Sequence, residues 1–475
     1  MIETDASVIL ERSNIMKRFL TVFFTALLLT AALCVTASAS DYDAVAGDLS
    51  AIGMFRGTAN GFELDRAPKR SEAAIMLVRL YGAEEEAKAA YDAGEISHPF
   101  TDVSEFTSPY VAWLYNKGIT KGATATTFGS AGPCSAKMYC AFLLRALGYE
   151  DGVDFQYADT LEFAQQKGFY DPTMFAGDFL RDDLAALTYQ GLATDLKDGS
   201  TYLLDSLVKS GAVDAESAKP MTEKIDAYRA MSAAMNTVDA NAMDVDVDMQ
   251  MDMTITAEGE TMQVPSTMRG NLKMIVAEDD SVQMAYTMKT VSQGESVDMD
   301  IWMKDGWVYL STEMNGEAMK LKYSVEDQLA AVEGLGTVNV DAMSASGLAM
   351  LESVTAKKAS GGNTEYTIVI GEGVNSLVEN VLGMMGQDVG SMDMRLGKMT
   401  ATYTVDSKGN MKKVDMTFTA SVKMDVPMED GQSYSMAADY DYDMTMTVNA
   451  TGKNVKVTFP NFSDFQEIDL SQTAA

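Results

Sequence analysis

From Met243 to Thr256 every odd position is apolar and every even position is polar. No other stretch restricts the fold so tightly, because a period of two puts all the apolar side chains on one face of a β-strand. The alternation returns from Lys413 to Val426, with Val414, Met416, Phe418, Val422 and Met424 on one side, and again from Tyr440 to Val448. Asp305-Gly306, between Trp302 and Trp307, is a two-residue hairpin signal, and Lys408-Gly409-Asn410 and Thr451-Gly452-Lys453 mark further turns. An antiparallel sheet is therefore expected. Helices are expected at about Thr222–Asn236, Val325–Glu333, Ala342–Val354 and Gly373–Met385.

Most of the 36 methionines fall in this half. Two readings are open: flexible thioethers line a pocket for apolar ligands, or they fill an ordinary core. The residues in question are Met249, Met251, Met253, Met416, Phe418, Met424, Met444 and Met446. Thioethers favour Cu(I), but along the chain these methionines are scattered over many strands, so no metal site is expected. Asp244, Asp246, Asp248 and Asp252 lack the glycine of a calcium loop, since Met249 stands at its sixth position, and they read as a solvated strand face.

The first half repeats itself. Gly53-Met54-Phe55-Arg56-Gly57 is echoed by Gly118-Ile119-Thr120-Lys121-Gly122, each after a helix-like segment and before a loop containing Phe. A second helix follows in each copy, Ser71 to Tyr81 and Ser135 to Leu147, and each ends at a glycine. A third, degraded copy runs from Ala158 through Gly168-Phe169-Tyr170-Asp171 to Leu180-Arg181-Asp182-Asp183. The unit is helix, glycine-bearing loop, helix.

These residues resemble the S-layer homology domain, most clearly in Pro99-Phe100-Thr101-Asp102-Val103, Tyr110-Val111-Ala112-Trp113-Leu114-Tyr115 and Gly118 to Gly122. The resemblance implies an all-α prism of three repeats that holds secondary cell-wall polysaccharide in grooves between repeats. It implies wall-polymer roles for Arg70, Glu72, Trp113, Arg181 and Asp182, whose arginines suit anionic sugars. Ala136 stands where the second repeat would carry arginine. Each motif arginine also reads as a structural cap or ion-pair partner, and Trp113 as a core anchor.

The second half, a leading helix followed by a long sheet with inserted helices, resembles lipoprotein-carrier folds of the Lol and mycobacterial lipoprotein type, and an exported Gram-positive family of that architecture. That resemblance implies a curved antiparallel half-barrel of α+β class around an apolar cavity, with a lipid or other apolar ligand as partner. Together the two resemblances imply a multidomain chain, an all-α repeat prism followed by an α+β sheet domain. The expected boundaries are repeats at about 41–82, 99–149 and 150–214, a linker at 215–221 around Lys219-Pro220, and the sheet domain at 222–470.

Ahead of these lie Met16-Lys17-Arg18, an apolar run from Phe19 to Leu33, and Ala37-Ser38-Ala39, in the order of a secretory signal ending at about residue 39. Leu33 before Cys34 argues against lipidation. No later stretch is long and apolar enough to span a membrane. A net charge of −33 argues against nucleic acid. The single histidine, His98, excludes an imidazole triad or multi-histidine metal site, and Cys134 and Cys140 read as buried thiols. No nucleophile-base or zinc signature is present, so no catalytic residue and no cofactor is expected. The leading expectation is a secreted, cell-wall-associated binding protein. The alternatives are a structural or adhesive surface protein with the sheet as spacer, and a wall hydrolase using paired carboxylates.

Overall fold

The computed structural model describes residues 42–172, 175, 178–235, 241–257, 260–277, 281–314, 317–324, 345–371, 391–427 and 433–468. The expected export signal and the helices at Val325–Glu333 and Gly373–Met385 lie outside them. Helices fill the first half: α1 (Asp43–Ala51), α2 (Arg70–Leu80), α3 (Glu84–Asp92), α4 (Ser108–Asn116), α5 (Ala136–Ala146), α6 (Thr160–Gln166), α7 (Arg181–Leu192), α8 (Leu203–Lys209) and α9 (Ala215–Met235). Among the described residues, no helix is long and apolar enough to cross a membrane.

The three repeats share one turn. Gly53, Gly118 and Gly168 take φ of 72°, 72° and 80° just past α1, α4 and α6. In each case the next residue donates its N–H back into the helix, Met54 to Leu49 O, Ile119 to Leu114 O and Phe169 to Ala164 O. Only a residue tolerant of the left-handed region closes a helix this way. The second helices α2, α5 and α7 begin at Arg70, Ala136 and Arg181. Their starts are stabilised by complementary remnants of one capping motif. Glu72 and Asp183 reach back to the N–H of Lys69 (2.7 Å) and Leu180 (2.8 Å), whereas Ser135 Oγ accepts from Met138 N at 3.3 Å. Helix α2 packs on α4, α5 on α6, and α7 back on α1, so the three pairings close a ring.

Residues 215–221, expected as a linker, are the first turns of α9. The Asp214 carboxylate accepts from Ser217 N and Oγ, both at 2.8 Å, and starts the helix, which runs on through Pro220 at the cost of one backbone hydrogen bond, to the Glu216 carbonyl.

The second half is one unclosed sheet. Its strands are β1 (Ala242–Ala257), β2 (Glu260–Val276), β3 (Val282–Ser292), β4 (Glu295–Lys304), β5 (Trp307–Met314), β6 (Glu317–Ser324), β7 (Leu351–Lys358), β8 (Thr364–Ile370), β9 (Ser391–Leu396), β10 (Met399–Val405), β11 (Met411–Pro427), β12 (Ser433–Thr451) and β13 (Gln466–Glu467). They lie in the order β13-β6-β5-β4-β3-β2-β1-β12-β11-β10-β8-β7, with β9 also on β11. All pairs are antiparallel except β13 with β6. Asp305 and Gly306 turn β4 into β5 with φ of 51° and 77°.

The helix expected at Ala342–Val354 is not found over its described part. A 3-10 turn covers Ala345–Met350, and β7 begins at Leu351. The β-branched Val354 and Thr355 pair with Ile368 and Thr367 of β8, and that ladder overrides the helix-favouring Ala and Met before them. Thr451-Gly452-Lys453 makes no hairpin either, but leads from β12 into a 3-10 turn at Gly452–Asn454.

The core of the helical half does not stop at α9. Tyr42, Leu77, Leu144 and Leu187 belong to one buried cluster with Met221 and Ile225 of α9, Leu348, Leu351 and Val354, and Tyr366 and Val405 of the sheet. Helix α9 packs on β7, and the 3-10 turn at Ala345–Met350 packs on α7. At the other end, the C-terminal tail folds over the polar face. Phe462 stacks on Tyr309 at 3.7 Å, and Lys320–Asp464 (2.6 Å) and Lys322–Glu467 (2.9 Å) tie the tail to β6, which blunts that edge strand.

Candidate functional site

Two regions hold the residues singled out above. The first lies where the start of α2 meets the loop before α5. Arg70 N donates to Gly132 O (2.8 Å), Ser71 N to Ser130 O (3.2 Å) and Cys134 N to Pro68 O (2.8 Å). Asp102 holds this loop from the other side, its carboxylate accepting from Phe128 N (2.7 Å), Gly129 N (2.7 Å) and Ser130 N (3.0 Å). Burial opposes its charge, but the three N–H donors outweigh that and keep Asp102 below the usual carboxylate range. The Arg70 guanidinium lies over the Phe128 ring at 4.9 Å. Among the described residues, neither Arg70 Nε nor Ser130 Oγ, both buried here, has a hydrogen-bond partner. Buried polar groups are normally paired, so these two unpaired atoms set this position apart from the start of α7.

The equivalent position at the start of α7 is built differently. Arg181 is 3% exposed; its Nη1 lies 3.0 Å from Glu72, its Nε donates to Phe62 O at 2.9 Å, and its guanidinium covers the Phe55 ring at 4.7 Å. Glu72 also accepts from Arg66 at 2.7 and 3.0 Å. Burial raises the pKa of Glu72, yet the Arg66 hydrogen bonds, the Lys69 N–H and the Arg181 charge together leave it lowered. Asp182 N donates to Leu64 O, and its Oδ1 accepts from Asp183 N. Arg181 and Glu72 are thus brought together, with Arg181 committed to protein groups and Asp182 anchored separately on Leu64. At the third position, Ala136 presents no cation.

Trp113 is 6% exposed and packs against Tyr81 at 5.5 Å, its Nε1 donating to Glu86 at 3.0 Å. It belongs to the seam between α3 and α4. His98 accepts from Phe100 N at Nδ1 (3.1 Å) and meets Ser108 Oγ at 3.2 Å, and burial lowers its pKa. Cys134 and Cys140 are buried free thiols.

The second region is the apolar face of the sheet. Met249, Met251, Met416 and Phe418 are buried, and Met253, Met444 and Met446 are half-buried. Met424 faces Met436 and Met392 in register. Asp246, Asp248 and Asp252 are exposed on the opposite face, with Asp248 paired to Arg269 at 3.0 Å.

Sequence reasoning missed Phe128 and Ser130, whose role depends on a loop meeting a helix far away in the chain. It also missed Met268 and Met288, buried on β2 and β3. Their alternation was present in Val264, Met268, Leu272 and Met274, but Ser266 and Gly270 interrupt it.

Residues 99–135 match the family model for the S-layer homology domain. That domain indicates a protein of the cell surface or cell wall. No curated protein matches the chain. Among solved structures, the chain is similar to LprF from Mycobacterium bovis, at 11% identity and a TM-score of 0.25 over 50% of this chain and 97% of that one. A DUF1329 family protein from Desulfovibrio piger follows at 9% identity and a TM-score of 0.17, covering 49% and 95%. A putative outer membrane lipoprotein-sorting protein domain from Vibrio parahaemolyticus matches at 8% and 0.15, covering 50% and 93%. At such scores these likenesses carry no argument about function.

Proposed function

We propose that this is an exported, non-catalytic binding protein of a Gram-positive-type cell envelope. Three repeats at 41–82, 99–149 and 150–214 form a pseudo-threefold prism that docks on anionic wall polysaccharide. The sheet domain, 222–470, forms a half-barrel whose apolar face takes a lipid or another amphiphile. The observation that carries the docking half is the S-layer homology match at 99–135, set within a ring in which each second helix packs on the next repeat's first helix. Within that ring, Arg70 is the motif arginine with a buried donor still unpaired, and it sits over an aromatic ring beside Ser130. Charge-assisted hydrogen bonds from a guanidinium to a sugar carboxylate are its natural use. The carrier half rests on the row of buried and half-buried methionine and aromatic side chains across the sheet.

One specific observation favours a spacer instead: the sheet shares a single buried cluster with the helices through α9 and β7, as a rigid extension of the docking module would. The test treats both halves. Full-length chain incubated with isolated cell-wall sacculi is expected to sediment with them, and Arg70→Ala to lower its affinity about tenfold, the value of one charged hydrogen bond. Equal retention of the variant, or none of the parent chain, would remove the docking assignment. Native mass spectrometry of the eluted parent chain is expected to show lipid-sized added mass; a bare chain mass favours the spacer.

A further inference from the structure

The strand register gathers methionines that the sequence scatters. Met416 of β11 faces Met444 of β12, Met444 faces Met249 of β1, and Met249 faces Met268 of β2, giving an unbroken row of four thioethers across four adjacent strands. A parallel row follows, with Met243 facing Met274, Met274 facing Met284 and Met284 facing Met303. Met249, Met268 and Met288 are packed in one cluster, with Met243, Met299, Met444 and Met446 partly buried against it. Directly opposed residues hold their Cβ atoms about 4.5–5.5 Å apart, which leaves Met444 and Met268 about 10 Å from each other on either side of Met249, and the three rotatable bonds of each methionine let both outer sulfurs lean toward the central one.

We infer that Met444, Met249 and Met268 form a binding site for a soft monovalent metal ion, Cu(I), on the apolar face of the sheet. The donor set decides the class of ion. Thioethers are soft, neutral ligands that select Cu(I) over hard or borderline divalent ions. The carboxylates of β1 that would attract Ca²⁺ or Zn²⁺ point the other way, since Asp246, Asp248 and Asp252 are exposed on the opposite face. The Met268 sulfur accepts from the Tyr286 hydroxyl of β3 at 3.6 Å, on the side away from β1, so ligation with Met249 requires it to turn from that bond toward β1. Three neutral ligands leave the ion its positive charge, which a sealed apolar core would not tolerate. Met444 is only half-buried, so the proposed site lies at the edge of the cluster rather than inside a sealed core. The Tyr442 ring, packed against the same cluster, offers a face suited to a cation.

The site is tested by anaerobic titration of the full chain with Cu(I) against a chromogenic Cu(I) chelator, with Ag(I) as an air-stable probe. The parent chain is expected to withdraw one equivalent of Cu(I) from the chelator. The triple variant Met249→Leu, Met268→Leu, Met444→Leu keeps volume and apolarity and is expected to lose that binding, while Met262→Leu, exposed near the end of the same face, is expected to keep it. In the parent chain itself, Ag(I) is expected to shift the ¹³C ε-methyl resonances of Met249, Met268 and Met444 before those of other methionines. Failure of the parent chain to compete, undiminished binding by the triple variant, or a first shift at other methionines overturns the assignment. Because leucine preserves an apolar surface, retention of a lipid by the triple variant leaves the two ligand classes separately readable.

Discussion

The helical half and the sheet bury apolar side chains in different ways. In the repeats, Leu77, Leu143, Leu144, Leu187 and Tyr139 are wholly inaccessible, and ion pairs such as Arg79–Glu84 (3.0 Å) are folded into the seams. Across the sheet, the methionine rows mix buried members such as Met249 with half-buried ones such as Met444 and Met446. A core of branched and aromatic residues loses density wherever one is trimmed, whereas unbranched thioethers refill their own gaps. The first half is therefore built to hold one shape, whereas the methionine face of the second can repack.

The sharpest break of that contrast is a pair of core substitutions. Leu187→Ala in α7, at the junction with α1 and the sheet-side 3-10 turn, is expected to cost about 3–4 kcal/mol, the usual range for a buried leucine. Met249→Leu is expected to cost less than about 1.5 kcal/mol, because the swap conserves volume. Both are read from urea unfolding. Equal costs would mean that the methionine face is as tightly interlocked as the helical core.

A second experiment sharpens the electrostatic side. Glu84 accepts from Tyr110 (2.7 Å) and Arg79 (3.0 Å) and pairs with Lys88 (3.0 Å) and Arg56 (3.2 Å). Burial alone would raise its pKa, but these partners lower it to about 2. A carboxylate lowered in the fold contributes stability that is complete above its unfolded value near 4.5 and disappears as pH falls through about 2. Glu84→Gln is expected to cost about 2 kcal/mol at pH 7, less than loss of a fully buried charge partner, and to flatten the acid limb of the helical half. An unchanged acid limb would place the acid sensitivity elsewhere.

How much of this was legible follows the range of the interactions. The period-two runs placed β1, β11 and β12, and Asp305-Gly306 placed the hairpin, because each signal lies within a few residues. The repeat could be read from Gly53 and Gly118 for the same reason. The pairing of Arg181 with Glu72 joins residues more than a hundred positions apart, and nothing near Arg181 announces it. Register across strands is equally hidden: Met416 and Met268 are each ordinary members of an alternation, and only the ladder puts them in one row. Segment 215–221 was misread because Lys219-Pro220 looks like a break, while the cap that starts the helix is Asp214, just before it.

The smallest expected effect concerns the seam where the two halves meet. Lys224 of α9 is buried among Asp48 of α1, Glu352 of β7 and the ring of Tyr189 of α7, which its Nζ covers at 4.7 Å. Burial lowers its pKa to about 8, with Asp48 and Glu352 only partly compensating. Burial likewise raises the pKa of Asp48, against the pull of Lys224 and Tyr189. For a base lowered in the fold, charging it costs the folded state: the penalty is full below about pH 8 and is relieved as pH rises toward the unfolded value near 10.5. Lys224→Met keeps the long apolar stem and removes the charge, and Asp48 can take up a proton in its place. The variant is expected to be about 1 kcal/mol more stable at pH 7, with the advantage shrinking between pH 8 and 10.5, as read from urea midpoints across that range. A loss of stability at pH 7 would instead show that the ammonium group fastens the helical half to the sheet, and would make the seam an electrostatic joint like those inside the repeats.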